Sequence, residues 1–235
     1  MNLSVGILII GSLYWDECKG RGNWRRERLL LCDSTPVCVP IRYGRKSISR
    51  GCTYTMVFSG ALSQDVQKLG CGIAVPCRKR VLSAGDLVGE AEHLWEAENG
   101  QFNGKLSANW GCISLLVNPK ADVPDELLEE WDIRVKGELG YGKLKHAQDE
   151  KPIVDQQGLL KIPWPEPCAG GELALDLLLA TATDPTLRNK SYPTAEEIAQ
   201  AWKEDTGEKV EYFLKNRESG ISTFQDEAIQ EHLDE

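Results

Sequence analysis

Basic charge, histidine and long apolar runs are what this sequence has least of. Its 235 residues carry 27 Lys and Arg against 36 Asp and Glu, a net charge of −9. That balance argues against nucleic-acid binding, which needs a net positive face. No apolar stretch approaches the roughly 18 residues of a membrane-spanning helix, so no membrane partner is expected. No basic segment leading into an apolar core opens the chain, which excludes a signal peptide and makes a cytoplasmic protein the expectation. Three histidines, with no Cys-x-x-Cys spacing among the cysteines, offer no pattern for zinc, and no metal is expected. Gly-x-Ser-x-Gly is absent, so Ser12 is not a nucleophile elbow. The stretch from Gly137 to Lys143 is glycine-rich but lacks the spacing of a P-loop.

What is present suits an ordinary folded domain, with 41% hydrophobic and 27% charged residues. Eight cysteines, at 18, 32, 38, 52, 71, 77, 112 and 168, would frame a disulfide scaffold only in a much smaller secreted chain. Several stand inside strand-like segments, as Cys38 and Cys112 do, where free cysteine acts as a small hydrophobe. All eight are expected to be unpaired thiols.

Short β-branched runs bounded by Gly, Pro or Asp predict strands at 5–10, 37–42, 53–59, 71–76 and 110–117. A helix is predicted between the last two, with Ser83 as N-cap, Asp86 in its first turn and Asn99-Gly100 as its stop. These elements suggest an α+β fold, a small mixed β-sheet or barrel with one central helix, occupying residues 1–118. Residues 119–235 read as a C-terminal extension packed on that core. It should contain a loop leading into a helix over 119–131, a strand-like piece at 159–163, and a segment at 172–181 that reads as strand more readily than helix. A capping box at Thr194-Ala-Glu-Glu197 should open a helix through Trp202, and helical patterns follow at 208–217 and 223–233.

Val5 to Ile10 runs into Gly11-Ser12-Leu13-Tyr14-Trp15, a buried strand released into a turn. Glycine and serine there let backbone N–H groups crowd around a small acceptor. The simpler alternative is a buried first strand that ends in Gly-Ser for structural reasons alone. Among the glutamates of the 86–98 helix, geometry singles out one. At about 100° per residue, Leu87, Ala91, Leu94 and Glu98 fall within about 40° of one line, while Glu92 and Glu96 fall opposite. A carboxylate at the end of an apolar stripe is costly unless it is paired, hydrogen-bonded or used. Its place in the last turn sets it against the macrodipole as well. The plain alternative is a helix end frayed into water. A third feature is Arg42-Tyr-Gly-Arg45-Lys-Ser-Ile-Ser-Arg50, four cations in nine residues. Arg42, just after a predicted strand, is the candidate for holding a substrate carboxylate, although a basic hairpin tip or partner-facing loop is the commoner origin of such a run.

The Gly11-Ser12-Leu13-x-Trp15 pattern resembles the opening loop of the γ-glutamylcyclotransferase-like family, most closely the branch acting on glutathione. Leu94-Trp-Glu-Ala-Glu98-Asn-Gly100 is similar to the family's glutamate segment, with one extra residue before the glycine. Where that family has a tyrosine before the Gly-Ser, this chain has Ile10. The resemblance spans roughly residues 5–118. It implies a small-molecule γ-glutamyl substrate cyclised to 5-oxoproline, with an amine or peptide released and no cofactor. Gly11, Ser12 and Leu13 would cradle the substrate, and Glu98 would carry the proton, with Glu96 as the fallback. Trp15 and Trp95, neighbours of these residues, would stand near the pocket. The rival reading is a non-catalytic small-molecule-binding or interaction protein that keeps the fold, which Ile10 favours.

Overall fold

Val5–Ile9 (β1) is buried at every position because it lies inside a sheet, with a strand on each side and packed side chains on both faces. The computed structural model describes residues 1–48, 53–148, 150–204 and 208–235. On one side of β1 runs Gly70–Pro76 (β5), antiparallel, and beyond it Thr35–Val39 (β2) and the two-residue Glu166–Pro167 (β8). On the other side runs Leu177–Thr183 (β9), parallel to β1, then Gly111–Val117 (β7) and the short Ser107–Ala108 (β6). The described strands form an open seven-stranded mixed sheet in the order β6-β7-β9-β1-β5-β2-β8, edged by its two shortest strands and not closed into a barrel. Ile41–Ser47 (β3) and Thr53–Phe58 (β4) make a separate antiparallel pair. Pro40 divides the predicted 37–42 strand between β2 and β3, since it has no N–H to give a ladder.

Ala84–Asn99 (α2) packs across β7 and β9 through Leu87, Ala91, Leu94 and Trp95, all buried. Ser83 and Asp86 complete a reciprocal capping box at its start, and Gly100 ends it in the left-handed region at φ 80°. Beside it lie Lys19–Arg28 (α1) and Asp125–Val135 (α3). Ala195–Lys203 (α4), Glu208–Glu218 (α5) and Asp226–Asp234 (α6) gather against one another, and α4 and α5 pack on β4. The 159–163 piece makes only isolated bridges, Leu115 with Leu159 and Val154 with Leu160.

Two features depart from the sequence reading. The first half holds a second helix, α1, whose only large apolar side chain is Trp24. Residues 119–235 do not merely pack on a finished core. Their strand β9 is hydrogen-bonded between β1 and β7, so a sheet built from residues 1–118 alone would be split in two.

Candidate functional site

β1 and β9 run parallel, and both deliver their carboxyl ends to one cleft of about 700 Å³. Ends of parallel strands are common sites for ligands, because the chain leaves them in turns whose backbone groups are unspent. From β1 come Ile10, Gly11, Ser12 and Leu13; from β9 come Thr181, Thr183 and the following Asp184–Thr186. The end of α2 adds Glu98, and the far wall is made by Arg45 and Lys46 of β3 with Trp110 and Lys145.

The turn after β1 is tightly wound. Tyr14 N–H donates to Gly11 O, and the N–H groups of Trp15 and Asp16 both donate to Ser12 O. Among the described residues, the N–H groups of Gly11, Ser12 and Leu13 find no backbone acceptor in that turn. Gly11 is needed for close approach, since a Cβ there would lie 2.7 Å from the hydroxyl of Tyr212 on α5. α5 also grips the turn through Asn216, whose Oδ1 accepts from Trp15 Nε1 at 2.8 Å, and through the edge contact of Tyr212 with Trp15.

Arg21, on α1, joins the turn to the helix end. Its Nη1 donates to Ser12 Oγ at 3.1 Å and to Asp16 Oδ2 at 2.9 Å, and its Nη2 donates to Glu98 Oε2 at 2.9 Å. Its Nε donates to Ala97 O, one of the last-turn carbonyls of α2 that has no partner within the helix. The carboxylate that the apolar stripe made costly is therefore paired, and its other oxygen, Oε1, has no protein partner among the described residues. Glu98 is 17% exposed; Glu96 is 56% exposed and lies beside His93, on the solvent side of the helix. Deeper still, Arg25 is 2% exposed, and its Nη1 donates to Leu13 O and Asp16 O.

Among the described residues of the cleft wall, four cationic side chains, Arg21, Arg45, Lys46 and Lys145, meet two carboxylates, Glu98 and Asp184. The guanidinium of Arg45 lies 4.9 Å from the Trp110 ring centroid, and Trp110 stacks on the buried Trp95 at 5.0 Å. The Oγ1 atoms of Thr181 and Thr183 are buried with no hydrogen-bond partner among the described residues. Among the described residues no group of His, Cys, Asp and Glu is arranged to hold a metal ion.

Arg42 does not line this cleft. Its guanidinium sits 4.3 Å from the Tyr192 ring centroid and 5.5 Å from that of Phe224, and burial lowers its pKa against the opposing pull of Tyr192 and Glu150. A bulge between Tyr43 and Arg45 shifts the β3–β4 register, and beyond it Arg45 and Lys46, rather than Arg42, reach the cleft. Arg50, the last cation of that run, and Cys52 lie outside the described residues. Trp15 braces the turn from behind, and Trp95 is covered by Trp110, so Trp110 is the tryptophan on the cleft wall. Sequence reasoning singled out the 42–50 cationic run but chose Arg42 rather than Arg45 and Lys46, and it missed Arg21, Thr181 and Thr183. Only the arginine spacing 21, 25, 28, repeating at helical intervals, signalled the first of them.

Compared with protein-family models, curated proteins and solved structures, the chain matches none.

Proposed function

We propose that the cleft binds a γ-glutamyl compound and that the protein is a γ-glutamylcyclotransferase-like enzyme. The observation that carries this reading is the meeting of the Gly11–Leu13 turn and Glu98 on one cleft, with Arg21 hydrogen-bonded to both Ser12 and Glu98. The substrate's α-amine attacks its own γ-carbonyl carbon; the new C–N bond closes 5-oxoproline and the old amide C–N bond breaks. Glu98 takes the proton from the amine through Oε1 and returns it to the departing nitrogen. The N–H groups of Gly11, Ser12 and Leu13 hold the developing oxyanion or the glutamyl moiety. The cleft's cationic excess favours a substrate bearing carboxylates. Thr181 and Thr183 line the same cleft.

One observation favours the non-catalytic alternative. Arg21 ties up one oxygen of Glu98, so only Oε1 is left to receive a proton. A panel of γ-glutamyl dipeptides, tripeptides and amines separates the two, with 5-oxoproline release read by mass spectrometry and binding by calorimetry. Release that disappears in Glu98→Gln supports the enzyme. Binding without release establishes the binding protein, and a panel that neither binds nor reacts removes the γ-glutamyl reading.

A further inference from the structure

Outside the cleft, at the opposite edge of the sheet, three thiols converge from three elements. Cys38 of β2 faces Cys71 of β5 in register, and Cys168 follows directly after β8. Cys38 Sγ and Cys168 Sγ lie 3.2 Å apart, and Cys168 Sγ lies 3.6 Å from Cys71 Sγ. All three are free thiols; Cys168 is exposed, and the other two are partly buried. They are not arranged to hold a metal ion. β8 itself is held to β2 by only two register pairs, together with the bond from Cys168 N–H to Pro36 O.

We propose that this cluster is a site of oxidative modification, at which a low-molecular-weight disulfide converts Cys38 and Cys168 into a disulfide that staples the β8 edge to β2. Cys168 reacts first because it is the exposed member. Having lost its proton to solvent, its thiolate attacks one sulfur of the small disulfide, whose S–S bond breaks and releases one thiol. The Cys38 thiolate then attacks Cys168 Sγ in the mixed disulfide and expels the second small thiol. Two protein thiols are oxidised and one small disulfide is reduced to two thiols. Closure needs the sulfurs to approach from 3.2 Å to about 2.05 Å, a movement within reach of side-chain rotation. Burial pushes the Cys38 thiol up to about 11, with Cys168 beside it reinforcing the shift. The exchange is therefore slow at neutral pH and faster in mildly alkaline buffer.

The test treats the intact, fully reduced protein with hydroxyethyl disulfide at mildly alkaline pH. This probe carries no γ-glutamyl group, so the outcome is independent of what the cleft binds. Intact mass should fall by two hydrogens at this site, and peptide mapping should find Cys38 joined to Cys168. The bridge closes a loop of 130 residues, and the midpoint of thermal unfolding should rise by about 5 °C. Cys71→Ser should still form the bridge, Cys71→Ser with Cys38→Ser, which also removes the thiol 3.6 Å from Cys168, should stop at the mixed disulfide on Cys168, and Cys71→Ser with Cys168→Ser should give neither product there. Exposed Cys18 and Cys32 report simple probe uptake. Wild-type protein that stops at the mixed disulfide, a wild-type link mapped to any other pair, or loss of the bridge in Cys71→Ser would each overturn the proposal.

Discussion

α1 and α2 are joined by two arginine–glutamate pairs that use the same residue types and do different things. At one end Arg28 embraces Glu90 with Nε and Nη2, one on each carboxylate oxygen. At the other end Arg21 holds Glu98 by Oε2 alone and spreads its remaining donors over Ser12, Asp16 and Ala97. Glu90 is 4% exposed and faces only protein, whereas Glu98 faces the cleft. The first pair is closed and satisfies itself; the second is open and leaves an oxygen for something else. A buried pair with both oxygens engaged is a fixture, and removing one partner strands a desolvated charge. An open pair positions a carboxylate without consuming it.

The sharpest break between the two ends comes from neutralising each glutamate. Given a γ-glutamyl substrate, Glu98→Gln should lower kcat by about 10²–10⁴-fold, the usual yield of a removed general base, with binding and unfolding midpoint nearly unchanged. Steady-state kinetics beside a denaturant melt checks both halves, and a near-normal kcat in the variant moves the test to Glu96. Glu90→Ala should do the reverse. It should cost about 3 kcal/mol of stability, toward the lower end for a broken buried pair because Arg28 is partly exposed, while the folded fraction keeps its activity.

Arg21→Lys should fall between them. Lysine keeps the charge but cannot donate simultaneously to Ser12, Asp16, Glu98 and Ala97. A stability loss of about 1–2 kcal/mol is expected, together with a larger fall in kcat/KM than Arg28→Lys produces. Equal effects on activity at the two arginines would erase the distinction between the open and the closed pair.

The smallest effect tests a carboxylate with no arginine embrace. Asp226 is buried, its Oδ1 accepts from Thr223 N–H and Oγ1, and its Oδ2 has no partner. Burial raises its pKa against the pull of those Thr223 hydrogen bonds. A raised carboxyl favours the folded state while protonated, so its contribution is full below the unfolded value, about 3.9, and is lost as pH rises through the folded one. Asp226→Asn should therefore gain up to about 1 kcal/mol at pH 7 and the gain should vanish in acid. Melts at both pH values read it, and a loss at pH 7 would show that the charged form is the stabilised one.

Local pattern carried a good part of this protein. Apolar runs placed β1, β4, β5 and β7 to within a residue or two, Ser83 and Thr194 announced their helices, and the phase of Leu87, Ala91 and Leu94 set Glu98 on the inward line and Glu96 outside it. These features were readable because capping and periodicity act over a few residues, within one element. α1 was not readable, since glycines at 20 and 22 and a face of arginines gave no apolar stripe, and its partners lie in the turn and in α2. The place of β9 between β1 and β7, the bulge that brings Arg45 rather than Arg42 to the cleft, and the approach of Tyr212 to Gly11 were likewise decided by tertiary structure. Each depends on hydrogen bonds or contacts between segments distant in the chain, and sequence spacing carries no record of which distant segment will supply the partner.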